Sequence, residues 1–347
     1  MFSLLFGGMD MKRSLVMILS IFLFIVLVIP SLIVVPFSYA SKTVEVSDHQ
    51  KKAEAATAER KDPAVAIPVY RVAEKKVETP SLRDYLVGVV ASEMPAEFNE
   101  EALKAQALSA RTFIVKRLIT KQVTTDKAVV TDAADYQVFK DKFELKKIWG
   151  KDYSWKLKKI EEAVDATVGQ IMTYNGNPII ASFFSTSNGY TESAADYWGN
   201  AVPYLKSVKS PWDVDSPKYK KTIQLPVMAV EKKLQITLPQ ANGKVGSAIK
   251  RTLGHRIASI NMGGKIWTGR DIREKLNLRS SDFEIVRNEQ TLFITTKGYG
   301  HGVGMSQYGA NGMASDGKSY RDIVKYYYQG VKITSADNML HDMLVKK

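Results

Sequence analysis

Between residues 82 and 93, apolar side chains recur at Leu82, Leu86, Val89 and Val90. That spacing marks one buried face of a helix with 3.6 residues per turn. The next position on the face is Glu93, an acid where an apolar residue is expected. Ser81 precedes the run with Asp84 three residues on, a capping-box pattern. Pro95 stops it, because the residue before a proline avoids helical geometry. A second helix is predicted over 99–118. Asn99 caps it, Glu100 and Glu101 sit at its positive end, and Lys116 and Arg117 lie near its negative end. Its inner face reads Leu103, Ala107, Ala110, Ile114 and Leu118, with enough small residues to let another backbone come close. A third helix is predicted over 155–168, ending at Gly169. A hairpin around Asn175-Gly176 follows.

Upstream, 66–80 reads as strands closed by Pro80. Downstream, the pattern changes over 214–296 to short strands with a helix near 269–277. Glycine then recurs every second or third residue from 298 to 310. A last amphipathic helix places Tyr320, Ile323, Val324, Tyr327 and Tyr328 on one core-facing side. The expected class is α+β with two lobes. Residues 65–213 and 297–340 form a helical core, and 214–296 form a smaller β-rich lobe.

The N-terminal pattern is different. An apolar run at 15–35, interrupted only by Ser20, Pro30 and Ser31, follows Lys12-Arg13. About 20 apolar residues span a bilayer. The basic pair keeps residues 1–13 in the cytoplasm, 14–36 anchor the chain, and 41–64 form a polar spacer outside. Ser38-Tyr39-Ala40 leaves a cleaved signal peptide as the alternative, which the length of the run disfavours. Met11, directly before Lys12-Arg13, would make a more typical start than Met1.

Composition narrows the chemistry. Lys and Arg total 49 against 36 Asp and Glu, a net charge of +13 that suits a polyanionic neighbourhood without choosing one. The absence of cysteine excludes disulfides, thiolate metal sites and thiol nucleophiles. His49, His255, His301 and His341 are scattered, so no metal site is expected. No nucleic-acid-binding module is present. Two Ser-x-x-Lys matches, at Ser247 and Ser315, lack the companion motifs of penicillin-recognising enzymes. Glu93 remains. A carboxyl facing an apolar wall near a helix C-terminus keeps its proton toward neutral pH, as a general acid must. Glycoside hydrolases usually need two carboxylates. Glu97, Asp132, Asp135, Glu192 and Asp196 are candidate partners that no pattern places, so a single-carboxylate mechanism carries weight. His301 reads as a loop-locking hydrogen bond rather than a second acid or base.

Three separated motifs carry a family resemblance: YLVGVVASEMPAEFNEEALKAQALSARTF at 85–113, PYLKSV at 203–208 and GHGVGMSQYGA at 300–310. Together they resemble the stage II sporulation protein D family of spore-forming Firmicutes, over about residues 65–335. The resemblance implies a membrane-anchored lytic transglycosylase in the spore-engulfment space. Such an enzyme cuts the MurNAc–GlcNAc bond of peptide-stripped peptidoglycan strands and leaves a 1,6-anhydro end. It implies no cofactor, and partners in stage II sporulation proteins P, an amidase, and M, a scaffold. The helical part becomes the catalytic core, with the active-site cleft between the two lobes. The resemblance makes Glu93 catalytic. It makes Arg111, Tyr204 and Lys206 functional, and carries Gln106, Ser306, Gln307 and Tyr308 as cleft residues. Clostridial relatives bind zinc through His and Cys in the region matching 131–139, which here has neither, so no zinc is expected. A non-catalytic wall-binding or scaffold protein and a true glycoside hydrolase stay open as alternatives.

Overall fold

The computed structural model describes residues 64–340 except 125, 126 and 134. The expected cytoplasmic end, anchor and nearly all of the spacer lie outside the described residues. Among the described residues no helix is long and apolar enough to cross a membrane.

Strands β1 (Val69–Arg71) and β2 (Lys76–Glu78) pair antiparallel. Helix α1 (Leu82–Glu93) follows, capped by the Ser81 side chain accepting from the Asp84 N–H. Its Leu82, Leu86, Val89 and Val90 are all buried, as the pattern requires. Met94 leaves in extended geometry ahead of Pro95. Helix α2 (Glu100–Ile119) starts at Asn99, whose side chain accepts from the Glu101 N–H. Strand β3 (Val130–Thr131) adds to β1 in parallel. Helix α3 (Lys142–Trp149) buries only Leu145, so it has no apolar stripe to read. It is defined by an Asp141–Glu144 capping box instead. Helix α4 (Tyr153–Asp165) and the hairpin of β4 (Gln170–Tyr174) with β5 (Asn177–Pro178) complete this half of the chain.

After β6 (Phe183–Phe184) and the short α5 (Ala194–Trp198) come β7 (Lys220–Pro226) and α6 (Val227–Leu234). Then follow β8 (Gly243–Lys244), β9 (Ser247–Arg251), β10 (Ile257–Met262) and β11 (Lys265–Trp267). Helix α7 (Gly269–Leu276) precedes β12 (Phe283–Asn288) and β13 (Thr291–Lys297). These strands make an antiparallel sheet in the order β7-β13-β12-β8 and a second in the order β11-β10-β9. The chain then returns through β14 (Met305–Ser306), α8 (Gln307–Ser315), α9 (Tyr320–Tyr327) and β15 (Lys332–Ser335). Strand β14 pairs in parallel with β6, and β15 pairs with β4.

The class is mixed α+β. Apolar side chains gather in two clusters. One is built on α1, α2, α4, β4, α8 and α9, the other on α6, α7, β10, β12 and β13. Helix α2 is the hub of the first, touching α1, α4, β4, α8 and α9. Its buried Ala105, Ala107 and Ala110 explain how so many neighbours approach it. A buried polar knot ties the returning segment down. Asp213, fully buried, accepts from the Ser187 N–H at 2.8 Å and from the hydroxyls of Ser187 at 2.9 Å and Ser210 at 2.6 Å. It also accepts from the Ser306 hydroxyl, and Ser306 caps α8. Beside it the glycine-rich segment runs against backbone: a Cβ on Gly304, whose φ is +83°, would lie 1.9 Å from Ser182 O.

Gly88 on α1 has a comparable constraint. A Cβ there would come 2.4 Å from Lys140 O and 2.5 Å from the Phe139 ring. The helix-propensity gain of alanine, about 1 kcal/mol, is outweighed by overpacking against a backbone carbonyl, about 1–3 kcal/mol. Gly88→Ala is therefore expected to lower the urea midpoint, although the same change on an open helix face raises it.

Candidate functional site

Glu93 is the last residue of α1 and is half-buried. Its Oε1 accepts the Val138 N–H at 2.8 Å. Burial raises its pKa above the ordinary carboxylate value, and the Val138 hydrogen bond opposes this without reversing it. Helix α1 places the acid by its stripe; the chain near Val138 is placed by contacts far apart in sequence. Asp132 accepts from the Val72 N–H at 3.0 Å and faces Arg71 Nε at 3.2 Å. The Arg117 guanidinium lies 4.6 Å from the Tyr136 ring centre and donates to Val129 O at 2.8 Å. Buried Gln137 accepts from the Tyr85 hydroxyl at 3.0 Å, and Phe139 stacks on Tyr85 at 5.6 Å. The Tyr85 pKa is raised, by burial first and by the Glu93 charge second.

The other predicted residues fall into groups. Gln106 on α2 is fully buried and accepts from Gln307 Nε2 at 3.4 Å. Ser306 belongs to the Asp213 knot. Tyr308, partly exposed, meets Phe98 edge-on at 4.9 Å, and the Phe98 N–H bonds to Pro95 O in the turn just after Glu93. That contact ties the α8 group to the Glu93 turn. Tyr204 and Lys206 form a second group. The Tyr204 hydroxyl accepts the Ile180 N–H at 2.9 Å, and its ring tilts against Tyr174 at 5.3 Å. Lys206 is exposed, and its carbonyl accepts from the Thr191 hydroxyl at 3.3 Å. Arg111 is 1 % exposed and donates to Val164 O at 3.1 Å, so its guanidinium works inside the helical core. His301 Nδ1 accepts the Val303 N–H at 3.0 Å, which locks the glycine loop. Burial pushes its pKa down to about 4, so it is neutral. Among the described residues no cluster of three or more His, Cys, Asp or Glu could hold a metal ion.

Sequence reasoning missed a cavity of about 450 Å³ lined by Glu192, Tyr197, Trp198, Arg256 and the start of α7. Glu93 is not among its lining residues. Glu192 is buried, accepts from the Thr252 hydroxyl at 2.6 Å, and has its pKa raised by burial. The only sequence signal for this place was a pair of candidate acids, Glu192 and Asp196, with nothing to show where they fold.

Comparison with known proteins follows this geometry. A family profile described as stage II sporulation protein matches residues 70–174, the stretch that holds Glu93, Gln106, Arg111 and Val138. Stage II sporulation protein D of Bacillus subtilis (strain 168) is 51% identical over 337 residues, covering 95% of this chain and 98% of that protein. The chain belongs to the stage II sporulation protein D family. The Bacillus amyloliquefaciens member is 50% identical over 345 residues, 96% of this chain and 100% of its own. A more distant relative, the amidase enhancer of Bacillus subtilis (strain 168), is 31% identical over 306 residues, 72% of this chain and 40% of that protein. The family profile ends at 174, so Tyr204, Lys206 and the 300–310 motif fall outside it.

The raised Glu93 pKa has a consequence for stability. A folded-state pKa above the unfolded value means that the folded chain holds this proton longer, so ionising Glu93 costs stability above the ordinary carboxylate range. Glu93→Gln keeps an acceptor for Val138 and removes that cost. Its melting temperature is expected to exceed the wild type's at pH 7.5, with the two curves converging near pH 4.

Proposed function

We propose that this protein is a peptidoglycan lytic transglycosylase acting in sporulation. The observation that carries the reading is Glu93, a half-buried acid with a raised pKa at the end of α1, whose hydrogen bond comes from a backbone amide rather than a cation. Protonated Glu93 donates to the oxygen linking MurNAc C1 to the next GlcNAc. The C1–O bond breaks, and the 6-hydroxyl of the same MurNAc closes on C1. The Glu93 carboxylate takes the 6-hydroxyl proton and is restored. One group serves as acid and then as base, no water is consumed, and the product carries a 1,6-anhydro end.

The remaining residues take roles consistent with their places. Exposed Lys206 reaches the sugar oxygens or the lactyl carboxylate. Tyr308, with the Lys218 ammonium 5.7 Å from its ring centre, offers a stacking surface beside the Glu93 turn. Gln106, Ser306 and Gln307 set the position of Tyr308, Tyr204 braces the 180 segment, and Arg111 acts through the placement of α2 on α4. The substrate lies in a cleft between the helical core and the β-rich lobe. Residues 14–36 hold the chain at the membrane with 41–347 outside, in the engulfment space. An amidase acts first and supplies peptide-free strands. Stage II sporulation proteins P and M are the partners on this reading, and the likeness to a protein named amidase enhancer accords with an amidase working alongside.

Full-length wild type and Glu93→Gln, incubated with peptide-free glycan strands, should differ in fragment masses. The wild type should give fragments lighter by one water than hydrolysis products, and Glu93→Gln should lose about 10²- to 10⁴-fold in rate. Water-added fragments would make the protein a hydrolase. Equal cleavage by both chains would remove Glu93 from the mechanism. Binding without cleavage by the wild type would leave a wall-binding protein.

A further inference from the structure

The amide that holds Glu93 belongs to no regular element. Residues 137–141 lie in neither helix nor strand, so no ladder of backbone hydrogen bonds sets the direction of the Val138 N–H. Its direction comes from the side chains on either side. Gln137 and Phe139 are buried and Val138 between them is half-buried, the alternation expected of extended chain that turns every second side chain inward. Both inward side chains meet the same residue. Gln137 Oε1 accepts the Tyr85 hydroxyl at 3.0 Å, and the Phe139 ring stacks on the Tyr85 ring at 5.6 Å. Tyr85, Val89 and Glu93 recur at four-residue intervals along one row of α1. One helix thus carries the acid and, two turns earlier, the residue that grips both neighbours of its hydrogen-bond donor.

The two grips are unequal. Phe139 is fixed several times over: by Tyr85, by the Arg71 guanidinium 5.2 Å from its ring centre, and by the bare face of Gly88. Gln137 has one polar grip. It is 1 % exposed, and its Nε2 has no hydrogen-bond partner among the described residues. The Tyr85 hydroxyl is therefore the contact that orients its amide. Packing alone does not call for this pair. Phenylalanine at 85 would keep the ring stack, and an apolar side chain of the same length at 137 would spare a buried amide whose donors are unmet. Replacing both partners of a buried hydrogen bond by apolar groups of the same shape is nearly neutral for stability. A pair of that kind, one peptide unit from the Glu93 donor, is placed to hold a direction rather than to hold the fold.

We infer that Tyr85 is a positioning residue for Glu93: through Gln137 its hydroxyl holds the Val138 amide on the Glu93 carboxylate. Fully buried, Tyr85 reaches no substrate. The consequence for the reaction rests on the acid–base role proposed above for Glu93. A held amide favours the carboxylate and makes Glu93 the stronger acid in the first proton transfer, whereas a slack amide leaves the proton on the carboxyl.

The direct measurement is the titration of the Glu93 carboxyl in the full-length chain without substrate, read by NMR from protein carrying carbon-13 at its glutamate carboxyls. The Glu93 signal is the one absent from Glu93→Gln. Tyr85→Phe removes the hydroxyl and keeps the ring. Gln137→Met removes the acceptor and keeps the length. Each is expected to move the Glu93 midpoint upward, because a slack amide no longer offsets burial. The double variant should move it no further than the larger single shift, since hydroxyl and amide act as one link. Val324→Ala, which opens a cavity elsewhere in the same apolar cluster, should lower the melting temperature and leave the midpoint in place. That separates positioning from general loosening. With glycan strands, kcat should fall about tenfold in Tyr85→Phe with KM unchanged, as for a group that never meets substrate. The alkaline limb of the rate profile should shift up with the midpoint. A midpoint unmoved by both single variants, or moved equally by Val324→Ala, would overturn the proposal, as would shifts that add in the double variant. Where one single variant does not fold, the other carries the test from its own side of the bond. The titration needs no turnover. A wild type that cleaves no glycan would sink the transglycosylase reading and leave the role of Tyr85 to be decided by the midpoint.

Discussion

Asp213 is the group on which the returning half of the chain depends. Its carboxyl collects a backbone N–H and three serine hydroxyls from the segments around 187, 210 and 306. The Ser210 hydroxyl passes the network on to Tyr327 of α9, 2.8 Å away. A buried carboxyl without donors would be a large cost; with these it becomes a fastener. What it fastens is the start of α8, and so Gln307 against Gln106 and Tyr308 against Phe98. The parallel β6–β14 pair and the bare backbone at Gly304 are parts of the same fastening, since neither forms unless the loop is drawn in tight.

The acid at the end of α1 is governed by a different balance. Burial moves Glu93 toward its neutral form and one amide N–H moves it back. Each pKa unit is worth about 1.4 kcal/mol, so small displacements of the Val138 amide are felt in the proton affinity of the carboxyl. The elements around it are correspondingly over-determined. Phe139 is gripped by Tyr85 and Gly88, Gln137 by Tyr85, and Tyr136 by Arg117.

Much of this was legible before the fold was known, and the reason is locality. The stripe ending in Glu93, the caps at Ser81 and Asn99, the turn at Asn175-Gly176 and the helix near 269–277 are written within a dozen residues each. Helix α3 was not legible because Leu145 alone faces inward. Helix α6 was hidden by its place just after the strand that ends in Pro226. The burial of Arg111 was not legible because a long cation in mid-helix carries no signal of what receives it, and here a backbone carbonyl of α4 does. The Asp213 knot and the Arg256 cavity draw on residues far apart in sequence, up to 119 positions in the knot. No periodicity brings Ser187 to Ser306, or Glu192 to Arg256.

The hydrogen bond on Glu93 spans 45 positions of sequence. The acid and the group that adjusts it can therefore be substituted independently. Substitutions around 132–139 can retune how readily the carboxyl gives up its proton while α1 stays untouched, letter for letter. A lineage adapting to a more acidic or more alkaline wall has a dial it can turn without opening the machine.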